Sequence, residues 1–327
     1  MGERIARVVG LVAAGALLAA CGAGQDPPAP DRLVLGLVPA AEVDRVAVAA
    51  DGLAALLSAE LGLPVETTVS GGDAALVAAM RTGRADVGLF DPIALVRAVD
   101  EDGVVPVLQT VRGGTSSTHT QWMTNDPARF CSTPVVEVEA VEVEDGEERE
   151  DRVLTYCNGT DTAVTGPVGE DALARIADGD PVLFVGERSV PGHYAPVTQI
   201  QELTGLDPLT GLDAQYVGED VESVRAVAAG EVPVGVSADD ARTLVEDPEA
   251  GARATVFAWS AELPHDGVAV RDGLPPEFRQ RVADAMTTVI GTPEGAAAFA
   301  AVYGIEGLVP LDPAGLEVAR RVEENIG

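Results

Sequence analysis

A chain of 327 residues with 46% hydrophobic residues, 36 glycines and 22 prolines can bury two ordinary cores and is too apolar to be disordered. Its formal charge is −32 and every basic residue is an arginine, which excludes nucleic-acid binding, because that role needs a basic face to neutralise phosphates. Aromatic residues make up only 4%, so Val, Leu and Ala must fill the interior.

Arg4 and Arg7 precede an apolar run from Val8 to Ala20, too short to span a bilayer and the right length for a signal h-region. The run ends Leu18-Ala19-Ala20-Cys21-Gly22, which resembles the lipobox of bacterial lipoproteins. That resemblance implies a signal peptide over residues 1–21. Cys21 would be diacylated and become the first mature residue, leaving the protein extracytoplasmic and anchored to the cell membrane. The alternative is an ordinary secretory signal in which Cys21 is incidental. Residues 22–31, including Asp26 to Asp31 (DPPAPD), read as a stiff tether.

Arg32 to Val38 is a short apolar strand closed by Pro39. Asp44 to Leu61 carries apolar residues at helical spacing and stops at Gly62. Val65 to Val69 is a strand. The turn Ser70-Gly71-Gly72-Asp73 opens a helix with Asp73 as its N-cap. Ala85 to Phe90 is a third strand, Asp91-Pro92 starts a third helix, and Val104 to Val111 is a fourth strand. Strands alternating with helices predict a mainly parallel sheet. Thr118 to Thr124 turns polar and extended, as a crossing between lobes.

Residues 131–157 break the rhythm. Val136 and Val138 alternate with Glu137 and Glu139, a bulge near Ala140 restores the apolar face, Asp145-Gly146 is a turn, and Arg152 to Tyr156 is the return strand. This acidic hairpin is either a solvated decoration or a docking surface. Cys131 and Cys157 flank it, and export would allow them to pair.

Helical patterning resumes at Gly169 to Ala177. Within Pro181 to Pro196 (PVLFVGERSVPGHYAP) a buried strand runs through a Gly186–Ser189 turn into a helix from Gly192 to Leu203. Free amides and the helix dipole would there face solvent, a place suited to anions. Strands follow at 214–217 and 232–236, with helices at 220–229 and 239–245. Two further strands, 253–259 and 267–271, precede C-terminal helices at 275–290, 293–302 and 313–325.

The stretches LVLGLVPAAEV and ELGLPVETTVSGGDAALVAAMRTGRADVGLFDPIALV resemble the first lobe of PhnD-like phosphate/phosphite/phosphonate substrate-binding proteins of ABC importers. The stretch AAGEVPVGVSADDAR is similar to that family's second crossing, and HDGVAVRDGLPPEFRQRVADAMTTVIGTPEGAAAFAAVYGIEGLVPLD to its C-terminal part. The resemblance spans most of 32–312 apart from the hairpin. It implies the type 2 periplasmic-binding-protein fold, an α/β class with two mainly parallel sheets, two lobes and a ligand cleft. Lobe 1 is then 32–118 plus 240–327, and lobe 2 is 119–239. Hinge closure on a small polar ligand, read by a permease with its ATPase, is the implied function. A monomer with no cofactor and no metal is expected.

Carried over residue by residue, the family's Ser-Thr-Ser-Gly phosphonate turn corresponds to Ser189-Val190-Pro191-Gly192. Ser189 and Gly192 fit. Val190 and Pro191 remove two hydroxyls and one N–H donor. Phe90 and Asp91 fall at the lobe 1 side of the cleft, with Asp91 in place of a common Gly. Thr118, His119 and Thr120 fall at the first crossing, and His193 and Tyr194 follow the turn. Ser237 and Asp239, or Asp240, fall where some members bind an amine. The histidines either make ordinary loop hydrogen bonds or contact ligand. No nucleophile elbow surrounds Ser189, and no P-loop or dinucleotide fingerprint occurs, so an enzyme is not expected. The alternative is a sensory or partner-interaction module on the same fold, using the 131–157 insertion.

Overall fold

The computed structural model describes residues 30–38, 43–101, 103–132, 135–140, 143–144, 147–148, 152–161, 167–207 and 210–326. The expected signal segment, Cys21, the expected tether up to residue 29, Pro39 and the expected Asp145-Gly146 turn lie outside the described residues.

The first lobe begins with β1 (Leu33–Leu37), buried along its whole length as a central strand with covered faces should be. Helix α1 (Val43–Leu61) buries Leu53, Leu57 and Leu61, one turn apart on the same face, and ends where Gly62 turns left-handed at φ +67°. Strand β2 (Val65–Val69), α2 (Asp73–Arg81), β3 (Val87–Phe90), α3 (Pro92–Asp100) and β4 (Val104–Val111) follow. Gly72, not Asp73, is the N-cap of α2, which places Asp73 inside the helix's first turn. Asp91 caps α3 as its sequence suggests, its Oδ1 accepting from Ala94 N–H at 2.8 Å.

The second lobe contains β5 (Thr120–Thr124), β6 (Val135–Ala140), β7 (Arg152–Cys157) and β8 (Pro181–Val185). A single π-type turn (Val190–Tyr194) then leads into α4 (Ala195–Thr204), so the expected helix from Gly192 starts earlier and with a wider first turn. Next come β9 (Asp213–Val217), α5 (Asp220–Ala229), β10 (Val234–Ala238) and β11 (Thr255–Trp259). Two expected helices shrink: residues 169–177 keep one helical turn at Glu170–Leu173, and 239–245 becomes a 3-10 turn at Ala241–Leu244. The chain returns to the first lobe with β12 (Gly267–Arg271), α6 (Pro276–Ile290), α7 (Pro293–Tyr303), β13 (Gly307–Pro310) and α8 (Pro313–Ile326).

The six-stranded sheet runs β13-β4-β12-β3-β1-β2, and the seven-stranded sheet β9-β8-β10-β5-β11-β7-β6. Both are mixed rather than mainly parallel. Strand β12 re-enters the first lobe from the hinge end and therefore lies antiparallel to β3 and β4. Strand β5 enters the second lobe from that end and lies antiparallel to β10 and β11. Because β11 pairs with β5, the second lobe does not end at Asp239. After the short turn it continues to Trp259, and the expected boundary at 239/240 moves to about 260–266. The two crossings pair with each other, Leu263 opposite Thr118 and Pro264 opposite Ser117, as a short antiparallel hinge.

The hairpin adds to the sheet edge through β6 and β7, with Leu154 opposite Val138. Val136 and Val138 are half-buried while Glu137 is exposed, so one face carries the apolar side chains. Cys131 and Cys157 form a disulfide with Cα atoms 5.1 Å apart.

Candidate functional site

The site is built around the turn that follows β8. Gly186 reverses the chain at φ +64°, and Ser189 N–H closes the turn on Gly186 O at 2.9 Å. Ser189 then caps the helical run: its Oγ accepts from Gly192 N–H at 3.0 Å and its carbonyl accepts from the amides of His193 and Tyr194. A Cβ on Gly192 would stand 2.2 Å from Val185 O, so only glycine lets the turn lie this close to β8. Thr120 Oγ1 donates to Pro191 O at 2.6 Å and ties the turn to the strand entering the lobe. The Gly192 amide is thus spent on Ser189 Oγ, while the Ser189 O–H keeps its own donor free. The amides of Glu187, Arg188 and Val190 make no hydrogen bond among the described residues, and with the Ser189 O–H they are donors left for a ligand.

His193 lies behind the turn rather than in the cleft. It is 9% exposed, its Nδ1 meets Glu187 O at 2.7 Å, and Tyr216 OH meets its Nε2 at 3.1 Å. The tautomer that fits has Nδ1–H donating to the carbonyl and Nε2 accepting from the phenol. Phe184, Tyr194 and Tyr216 surround the ring. Burial first, and then the charge of Glu187, push the Tyr216 hydroxyl pKa up. Phe90 is likewise withdrawn, 1% exposed among Leu76, Met80 and Leu95. Both expected ligand residues are therefore scaffold, because their side chains have satisfied or apolar surroundings inside a lobe.

At the hinge end, Asp239 is the described non-glycine residue with positive φ, at +46°. Its carboxylate accepts from Thr118 Oγ1–H at 2.8 Å and His119 N–H at 2.9 Å, while its own amide donates to His119 O. His119 Nδ1 stands 3.7 Å from Asp239 Oδ1, and its ring meets Trp259 edge-on. Ser237, fully buried, donates to Asp239 O at 3.0 Å. Partial burial works to raise the Asp239 pKa, but the hydrogen bonds from His119 and Thr118 outweigh it and hold the carboxyl below its ordinary value. Asp240 is committed elsewhere, to the buried Arg242 guanidinium at 2.6 Å, which also stacks over Tyr156. Thr118, His119, Ser237 and Asp239 therefore lock the first crossing to the end of β10.

A cavity of about 670 Å³ opens between the lobes. Asp73, Asp91 and Ile93 line it from the first lobe, and Arg188, Val190 and Tyr194 from the second. Of the expected residues, Asp91 and Tyr194 meet here; the hinge-end group is not part of this wall. Asp73 and Arg188 were missed. Asp73 reads in sequence as a cap and Arg188 as an ordinary turn residue, and only their facing positions mark them. Burial first, and then the Asp91 charge, raise the Asp73 pKa. Ile93 packs with Val190, Tyr194, Ala195, Leu263 and Val322 at the seam between lobes.

Two α/β lobes, joined by paired crossings and enclosing a cleft with free turn amides, have the architecture of periplasmic solute-binding proteins. Residues 35–316 match the family described as "ABC transporter, phosphonate, periplasmic substrate-binding protein", and the chain belongs to that family. Its fold is similar to that of a Xanthomonas citri protein bound to ATP (17% identity, TM-score 0.56, covering 90% of this chain and 98% of that one). It is also similar to PhnD1 from Prochlorococcus marinus in complex with methylphosphonate (13% identity, TM-score 0.52, covering 90% and 98%). A binding component of an ABC phosphonate transporter from Pseudomonas aeruginosa aligns at 16% identity and TM-score 0.50, covering 90% and 86%. No curated protein matches the chain by sequence. Among the described residues, no helix is long and apolar enough to cross a membrane.

Proposed function

We propose that this protein is the monomeric, lipid-anchored receptor of an ABC importer and closes its lobes on a small phosphonate-like oxyanion. The observation that carries the reading is the set of uncommitted amides at Glu187 and Arg188 in the turn and at Val190 at the start of the helical run, in a loop whose Arg188 and Val190 line the interlobe cavity. With Val190 and Pro191 in place of hydroxyl-bearing residues, the cradle holds an anion through backbone and charge more than through side-chain hydroxyls. Asp73 and Asp91 on the opposite wall suit a ligand whose other end is cationic or donates hydrogen bonds. Closure would then be read by a permease with its ATPase.

The test is a thermal-shift and calorimetric panel of inorganic phosphate, phosphite, methylphosphonate and 2-aminoethylphosphonate. One member should stabilise the protein, by about 2.7 kcal/mol at a hundredfold excess over its Kd. No response to any of the four removes the phosphorus assignment and leaves the family. The anchor is tested separately. Cys21→Ser should move the protein from the membrane to the soluble fraction, and retention on the membrane refutes lipidation at that cysteine.

A further inference from the structure

Arg188 carries the inference, and it rests on the oxyanion reading above. In a chain with 53 acidic and 21 basic residues, a guanidinium rarely lacks a carboxylate or carbonyl neighbour. Most described arginine side chains follow that rule; Arg84, which meets only the Thr82 hydroxyl, and Arg188, Arg225 and Arg321 do not. Arg97 holds Glu323, Arg112 holds Asp266, Arg129 holds Asp180, Arg242 holds Asp240 and Arg271 holds Asp86. Even Arg175 and Arg281 are spent on backbone carbonyls. Arg188 makes no ion pair and no side-chain hydrogen bond among the described residues. It nevertheless stands on the turn itself and lines the interlobe cavity, facing the carboxylates of Asp73 and Asp91 on the first-lobe wall.

We infer that Arg188 is the specificity-determining residue of the cleft. Its guanidinium supplies the anion contacts that Val190 and Pro191 cannot make. A planar fork of N–H donors grips two oxygens of one tetrahedral or carboxylate group, whereas hydroxyls would add no charge. Beside it the amides of Glu187, Arg188 and Val190 can take the remaining oxygen. The ligand class is therefore an oxyanion with two or more equivalent terminal oxygens, bound by charge and sensitive to ionic strength. Arg97, which lines the same cavity from the first lobe, is already neutralised by Glu323 at 2.8 Å and does not compete for that role.

The test compares Arg188→Ala, Arg188→Lys and Arg225→Ala by calorimetry with the same four probes. Arg225 is a second arginine without an ion pair, but it lies away from the interlobe cavity. Arg188→Ala should weaken binding of the probe that the wild type takes by about 10- to 100-fold. Arg188→Lys should recover only part of the loss, Arg225→Ala should bind as the wild type does, and all ligand-free melting temperatures should agree. The wild-type Kd should also rise with added salt more steeply than that of Arg188→Ala. Wild-type affinity in Arg188→Ala overturns the inference and leaves the receptor reading in place. Full recovery in Arg188→Lys overturns the two-oxygen grip. A wild type that binds none of the four removes the phosphorus-oxyanion reading and with it the inference, and leaves the family.

Discussion

Replacing Asp239 separates a hydrogen-bond contribution from a backbone one at the hinge. Its carboxylate holds Thr118 Oγ1 and His119 N, and its backbone sits at φ +46°, where a Cβ-bearing residue without a local polar group is strained. The side chain is 56% exposed, so each lost hydrogen bond is worth about 1 kcal/mol rather than the buried value. Asp239→Ala loses both and adds about 1 kcal/mol of left-handed strain, for a total near ~3 kcal/mol. Asp239→Gly loses the bonds but tolerates the φ, for about 2 kcal/mol. Asp239→Asn keeps shape and backbone tolerance; with one acceptor oxygen left for His119 N–H, Thr118 Oγ1 must accept from the amide instead of donating, and the loss of charge assistance costs about 1 kcal/mol. The chain's two tryptophans, Trp122 and Trp259, both lie in the second-lobe sheet, so urea unfolding followed by tryptophan fluorescence reads this region directly. The pH dependence follows from the lowered pKa. Stabilisation by Asp239 is fully present above the ordinary value of 3.8 and is lost as pH falls through the lower folded-state value. The Ala penalty should therefore be flat near neutrality and shrink below pH 3.8. Equal losses for Ala and Gly refute the strain argument, and a penalty unchanged in acid refutes the role of the carboxylate.

Gly192→Ala forces a Cβ to within 2.2 Å of Val185 O, so the turn must move away from β8. A loss of about 1–3 kcal/mol in ligand-free stability and weaker probe binding are expected, and unchanged affinity on calorimetry contradicts the assignment of the cradle. Cys131→Ser with Cys157→Ser opens a loop closed across 26 residues and should cost about 3–4 kcal/mol on the chain-entropy estimate. Reductant should lower the wild-type melting temperature to that of the double variant, and a wild type indifferent to reductant shows that the bond is absent in solution.

The sequence by itself determined most of the local structure. Continuous apolar runs such as Leu33–Leu37 made buried strands, Asp91-Pro92 made a capped helix start, and Cys131 and Cys157 paired across their hairpin. Those outcomes depend on sterics and hydrogen bonds within a few residues, or on one strand turning back on the next. The family was legible as well, because its motifs persist in order over most of the chain. Only the tertiary structure decided which side chains face the cleft. Strand β3 is covered on both faces, so alternation could not say whether Phe90 points inward, and it does. His193 is turned from the cleft because Tyr216, on the neighbouring strand, completes its hydrogen bonding. The lobe boundary shifted because Thr255–Trp259 finds its partner in Thr120–Thr124, more than a hundred residues earlier in the chain. Among the described arginines without a side-chain partner, Arg188 is singled out by lining the interlobe cavity, a placement fixed by segments distant in sequence that local patterning does not encode.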